Sequence, residues 1–254
     1  MNGQLLVQVD YNIMEASELL VFAHLANITY DDPKAAKVKF KTLGYSIVEF
    51  FNIENAQAYL LKGSNGLHVL SFRGTEVSEP SDILADLEAG KNIEACGGKI
   101  HVGFKGEINK LWPTIEKSIA GIESLYVTGH SLGAAMATIA SSRIQSRVLA
   151  LVTFGSPRVG NQEFVDSVNV PHYRVQNNCD DVTKVPFRIM GFRHHGNHMY
   201  LNYYGQFRTL TPWQRVKDMV RSRVRAYLKG QKYLGVYDHL MTNYISKLEK
   251  AGEE

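Results

Sequence analysis

Apolar residues recur at helical spacing over residues 11–28, where Ala16, Leu19, Leu20, Ala23 and Ala26 share a face, and Asp31-Asp32-Pro33 predicts the end of that helix. Two short β-rich runs follow, Ala58–Lys62 and Leu67–Phe72. They are joined by Gly63-Ser64-Asn65-Gly66, and an Asn-Gly pair between such runs predicts a hairpin. Residues 104–122 read as a helix, Ser124–Thr128 as a strand and Ala134–Gln145 as a helix rich in small residues. Val148–Phe154 and Tyr173–Gln176 read as further strands. Residues 198–210 suggest a terminal hairpin, and 213–229 and 239–249 two last helices. Strands alternating with helices predict an α/β fold, its central sheet mostly parallel with helices on both faces.

The chain has 254 residues, 44% apolar and 21% charged, enough for a sizeable core and too apolar for a disordered chain. No repeat or linker divides it, so residues 1–254 are expected to form a single domain. A net charge of +3 is too mild to predict a nucleic-acid partner. The two cysteines, Cys96 and Cys179, exclude a disulfide scaffold and a Cys-rich zinc module, and read as two thiols rather than one bridge. No apolar run is long enough to span a membrane. The first basic residue is Lys34, so no secretory leader is predicted, and location is left between the cytoplasm and export by another route.

Chemistry enters at Gly129-His130-Ser131-Leu132-Gly133, between a predicted strand and a predicted helix. A G-x-S-x-G element in that setting holds its serine on a strained turn, with the hydroxyl pointing off the sheet. The backbone N–H of Leu132, at the helix start, then faces the place where an oxyanion would develop. His130 is expected to point into the core. A serine hydroxyl needs an imidazole base, and the base needs a carboxylate to fix its tautomer. In this topology both follow the serine in the chain. Asp180 and Asp181 lie just past the strand at 173–176, and the residues alone do not choose between them. His239, in Tyr237-Asp238-His239-Leu240, stands on a loop at a helix start and is the candidate base. His194, His195 and His198 lack carboxylate or thiolate partners at ligand spacing, so they are read as loop residues. No metal or cofactor is implied.

Several segments, in order, resemble the fungal-type triacylglycerol lipase family, lipase class 3, within the α/β-hydrolases. Ser71-Phe72-Arg73-Gly74-Thr75 is similar to its "fRGT" strand end and Ile100–Phe104 to "vHxGF". Val127–Ala134 resembles the nucleophile turn, and Thr153–Asn161 resembles "tfGxPRvGn". Arg174–Pro186 resembles "RVtnxxDiVpxlP", and Asp238-His239 through Tyr244 resembles "DHxxxxY". Ser81–Leu87 looks like the family's lid segment, with Ile83 where a Trp is usual; Cys179 and Thr183 also depart from the pattern. The resemblance implies an α/β-hydrolase fold with a lid over residues 76–92 and a Ser131, Asp180, His239 triad. It also implies Thr75 as the second oxyanion donor beside Leu132, and His194 as a residue outside the triad. Arg73 is read as a structural cation.

The expected reaction is hydrolysis of lipid esters by a triacylglycerol lipase or phospholipase A1-like enzyme, through an acyl-enzyme. Two other readings are a non-lipid esterase of the same fold, acting on short or aromatic acyl esters, and a catalytically silent relative that binds. Residues 76–88 carry five acids and no base, with Ile83, Leu84 and Leu87 on an apolar edge, the pattern of an amphipathic flap. Residues 213–229 carry six bases and one acid around an apolar face. That pattern suits either a helix docked on the core or peripheral contact with an anionic membrane surface. No obligate protein partner is implied.

Overall fold

The computed structural model describes residues 14–75, 93–95, 98–230 and 233–252. The lid expectation, with Ile83, Leu84 and Leu87 and all of 76–92, lies outside the described residues, as does Cys96. Helices α1 (Ala16–Ile28) and α2 (Pro33–Thr42) lead into three strands, β1 (Tyr45–Ile53), β2 (Ala56–Gly63) and β3 (His68–Phe72). Two three-residue strands, β4 (Ile93–Ala95) and β5 (Lys99–His101), pair with each other. Then come α3 (Val102–Ser118), β6 (Leu125–His130), α4 (Leu132–Arg143), β7 (Val148–Phe154) and α5 (Gln162–Ser167). β8 (His172–Asn177), β9 (Asn197–Leu201), α6 (Pro212–Leu228), α7 (Leu234–Tyr237) and α8 (Met241–Ala251) complete the order.

Seven strands form the main sheet in the order β1-β2-β3-β6-β7-β8-β9. The β1–β2 and β2–β3 pairs are antiparallel, and every pair from β3 to β9 is parallel. The expected hairpin at 63–66 is the β2–β3 connection. Alternate strand residues feed two apolar layers. Leu60, Leu70 and Val127 face α3 and α4, where Phe104, Ile108, Leu111 and Met136 pack. Leu61, Val69, Val152 and Val175 face α1 and α8, where Leu19, Phe22, Tyr244 and Leu248 pack. This is the architecture of an α/β-hydrolase.

Two elements were not expected, and one expectation is altered. Asp32-Pro33 opens a helix as well as following one: Asp32 accepts from the N–H groups of Lys34 and Ala35, and Pro33 takes the first helical position, where its missing N–H is harmless. β1 has no counterpart in the sequence reading because its register shifts between Ile47 and Glu49 and Val48 is left exposed, which breaks the two-residue period. The hairpin expected over 198–210 is reduced to a short turn, in which the Arg208 N–H donates to the Tyr200 carbonyl and the Asn202 N–H to that of Gln206. β9 pairs in parallel with β8, and its return arm makes one bridge, Leu201 to Phe207, before Thr211 caps α6.

Candidate active site

The carboxyl ends of β6, β7 and β8 lie side by side, where ligands bind in open α/β sheets. β6 delivers Ser131. Its φ of 58° lies in the left-handed region, and the chain passes straight from strand to α4 around it. Only glycines fit on either side. A Cβ on Gly129 would sit 2.4 Å from the Gly133 carbonyl oxygen, and one on Gly133 would sit 2.4 Å from that of Phe72. The turn is pinned by the Ser131 N–H donating to the Phe154 carbonyl at 3.1 Å. Gly133 through Ser141 are all buried, so α4 runs through the core, and its alanines permit that close approach.

β8 delivers Asp180 in the loop that follows it, and the turn between α7 and α8 delivers His239. His239 Nδ1 stands 3.0 and 3.1 Å from the two Asp180 oxygens. The Tyr244 hydroxyl donates to Asp180 Oδ2 at 2.6 Å and the Val182 N–H to Oδ1 at 2.9 Å. Asp180 is fully buried and takes three donors, which is what keeps a buried carboxylate ionised. Burial raises its pKa, but the His239 charge and the His239 and Tyr244 hydrogen bonds outweigh it and hold the carboxyl below its ordinary value. Asp181 points elsewhere, to Lys184 and Arg223. With Nδ1–H directed at a carboxylate, the neutral His239 ring has its lone pair on Nε2, and that atom is buried with no hydrogen-bond partner among the described residues. Gly155 forms the floor: a Cβ there would lie 2.8 Å from His239 Cε1 and 2.9 Å from Asp180 Oδ2.

Two further groups brace this pair. Asp238 Oδ2 accepts from the Cys179 N–H at 3.0 Å and from Asn178 Nδ2 at 2.8 Å, tying the turn that carries His239 to the loop that carries Asp180. His130 is buried, as expected, and has a task there. Its Nε2–H donates to the His239 carbonyl at 2.8 Å, and Nδ1 accepts from the Tyr30 hydroxyl at 2.8 Å. Asp238 entered the sequence reading only as part of the Asp-His motif, with no role assigned, and Tyr30 did not enter it, because it lies beside no motif residue.

Thr75 and Leu132 line one cavity of about 500 Å³ with Ala56, Met136, Glu54, Glu107 and Lys110. A Cβ on Gly74 would touch Ser131 Cβ at 3.3 Å, so the Gly74-Thr75 strand end abuts the serine. Arg73 bonds Gln57 and lies over the Tyr30 ring, consistent with a structural cation. His194 Nε2 pairs with the Thr183 carbonyl, His195 Nε2 with that of Val168, and His198 Nε2 with Gln176. Cys179 is an unbridged thiol, 3.3 Å from the Met219 carbonyl. Among the described residues no group of histidines, cysteines and carboxylates could hold a metal.

Acid should loosen this arrangement. Burial, then the neighbouring His239 charge, pushes the His130 pKa down to about 3. Burial likewise lowers His172, His194, His195 and His198. Each such histidine contributes stability in full above its unfolded value and loses it as pH falls toward the folded one; Asp180 adds a loss of the same sign at lower pH. Asp238, raised by burial, works the other way but is outnumbered. The denaturant midpoint should therefore be flat above about pH 7 and fall below pH 6.5, with His130 alone accounting for about 2 kcal/mol by pH 5. An unchanged midpoint between pH 5 and 7.5 would contradict these burials.

Residues 69–190 match the family model described as lipase (class 3). A lipase from Rhizopus niveus is 31% identical over 163 residues, which are 57% of this chain and 41% of that protein. A Vibrio cholerae protein named toxin TseL is 33% identical over 148 residues, 53% of this chain and 23% of that one. The chain thus spans less than half the length of these curated relatives. The Rhizomucor miehei lipase propeptide complex superposes with a TM-score of 0.64 at 24% identity, covering 73% of this chain and 68% of that one. A solved triacylglycerol lipase whose catalytic centre is described as a serine protease triad gives a TM-score of 0.64 at 23% identity, over 74% of this chain and 80% of that one.

Proposed function

From the match of residues 69–190 to the class 3 lipase family, we propose that this chain is a serine carboxylic ester hydrolase acting on lipid esters, of the triacylglycerol lipase or phospholipase A1 kind. The observation that carries this is the buried His239: one ring nitrogen is fixed on Asp180, the other has no partner among the described residues, and the ring lies 4.5 Å, centroid to centroid, from that of His130, the residue before Ser131. In the proposed reaction His239 Nε2 takes the Ser131 proton as Oγ attacks the acyl carbon. Asp180 stabilises the imidazolium that results. The Leu132 N–H, with the Thr75 N–H and hydroxyl, holds the tetrahedral oxyanion, each donor supplying roughly 3 kcal/mol. His239 then returns the proton to the departing alcohol, and water activated by the same ring clears the acyl-enzyme. The whole of 1–254 is taken as one domain because α1 and α8, from its two ends, pack on the same face of one sheet.

α6 bears on how such an enzyme would meet a lipid phase. Its inward positions are Ser222 and Ala226, with Met219 packed beside Cys179 and Leu234, while Trp213, Val216, Val220, Val224, Tyr227 and Leu228 are exposed. The helix therefore docks through Met219 and small residues, and most of its apolar stripe is left uncovered. That stripe faces out between arginines, the arrangement of a helix that lies in a membrane interface. A chain-length series of esters tests both points. Turnover should rise with acyl length and rise again once the substrate forms an emulsion or anionic vesicles, and R221E with R225E should lower only the vesicle activity. A second reading, hydrolysis of short or aromatic acyl esters, is favoured by Glu54, Glu107 and Lys110 in the cavity shared by Thr75 and Leu132. Best turnover on short soluble esters, with no gain at an interface, would establish it instead.

A further inference from the structure

A second cavity, of about 520 Å³, opens beside β8 and the first turn of α6. Arg158, Arg174, Lys184, Arg188, Arg193 and Arg215 line it, and among the described residues no carboxylate does. It contains none of Ser131, Asp180, His239, Thr75 or Leu132. The cations come from four separate parts of the chain: the loop after β7, β8 itself, the segment from 184 to 193, and α6. The fold, rather than a local basic run, gathers them.

Most of these side chains are steadied without being neutralised. Arg158 Nη1 donates to the Lys184 and Pro186 carbonyls, and Arg193 Nη1 to those of Arg188 and Phe192. Arg215 Nη1 donates to His198 Nδ1. Among the described residues, Lys184 is the one of the six with a carboxylate partner, Asp181, which it shares with Arg223. Arg174 is the informative member. It is 7% exposed, and its Nε has no hydrogen-bond partner among the described residues. A guanidinium taken out of water without an anion is strongly disfavoured. Burial, then the charges of Arg215 and Arg158, pushes its pKa down to about 9, which leaves it a cation at neutral pH. The same neighbours that repel it are aimed at the same space. A buried donor with an open valence, in a polar cavity lined by one sign of charge, is what an anion would complete.

We propose that this cavity is a binding site for a compact anion carrying two or more phosphate groups. Planar guanidinium forks match phosphate oxygens two at a time, and five of the six cations here are arginines. The space would otherwise hold on the order of fifteen waters, so one small oxyanion would leave most donors unmet. Pro212, the first residue of α6, also lies on the wall, so the positive end of that helix adds to the field. The ligand could be a free polyphosphorylated molecule or the headgroup of a polyphosphorylated phospholipid; the chemistry read by the site is the same.

The test uses the full chain, with inorganic pyrophosphate and inositol hexakisphosphate as free probes. The lipid probe is phosphatidylcholine vesicles doped with phosphatidylinositol bisphosphate. Both free probes should raise Tm by about 5 °C near saturation, beyond the effect of sodium chloride at equal ionic strength. R188Q combined with R215Q, changes at an exposed and a half-buried position, should weaken calorimetric binding roughly tenfold or more while leaving the circular dichroism spectrum unchanged. S131A should bind like the parent, since no reacting group is involved. Retention on bisphosphate vesicles above that on phosphatidylserine vesicles, competed by pyrophosphate, would identify a headgroup as the source. Binding of the free probes alone would identify a soluble ligand. Absence of any Tm shift or heat beyond the salt control, or undiminished binding by the double variant, would overturn the proposal.

Discussion

Ser131→Ala should give a protein that melts where the parent melts and hydrolyses a chromogenic acyl ester slower by a factor on the order of 10⁶. Two structural facts separate the effects on activity and stability. The Ser131 hydroxyl makes no hydrogen bond to any described residue, so removing it orphans nothing. The strain at φ 58° is backbone strain, which alanine inherits. The expected loss is therefore chemical. A fluorophosphonate probe should label the parent and not the variant. Full activity in S131A would end the serine-hydrolase reading, and a parent that neither labels nor turns over ester would mark the silent binding relative.

Asp180→Asn should lower kcat by a factor on the order of 10⁴, whereas Asp181→Asn should change it only a few-fold. The reason lies in which atom faces the ring. Asp180 accepts from His239 Nδ1, Tyr244 Oη and the Val182 N–H; an amide there must turn a donor toward at least one of them. If it faces Nδ1, the imidazole keeps its proton on Nε2 and cannot accept one from serine. Asp181 holds Lys184 and Arg223, all three partly exposed, so its loss should cost about 1 kcal/mol or less of stability. The opposite ranking of the two variants would refute the assignment.

The parallel half of the sheet was legible because its strands are short apolar runs bounded by turn residues, and Val148–Phe154 matches its strand residue for residue. The nucleophile turn was legible because steric demand fixes two glycines and a serine within five positions. The strand at 45–53 was hidden by its register shift, and α2 by the double meaning of Asp-Pro, which ends one element and opens the next. The choice of Asp180 over Asp181 was invisible to local chemistry, since adjacent aspartates on a loop look alike. Apart from the family resemblance, only the tertiary position of His239 and Tyr244, 59 and 64 residues away, distinguishes them. The outward apolar stripe of α6 was half visible: periodicity revealed a stripe but not which way it faced.

The last helix bears on more than packing. Tyr244 reaches Asp180 and also accepts from the Asn177 N–H, Lys247 bonds Asn177 Oδ1 at 2.5 Å, and the turn before the helix clamps Asn178 and Cys179 through Asp238. If α8 peels from the sheet, the acid loop loses three anchors in one event, and the imidazole departs with the departing segment. Heat inactivation would then follow detachment of a single C-terminal turn-and-helix unit, while the strands beneath it are still intact.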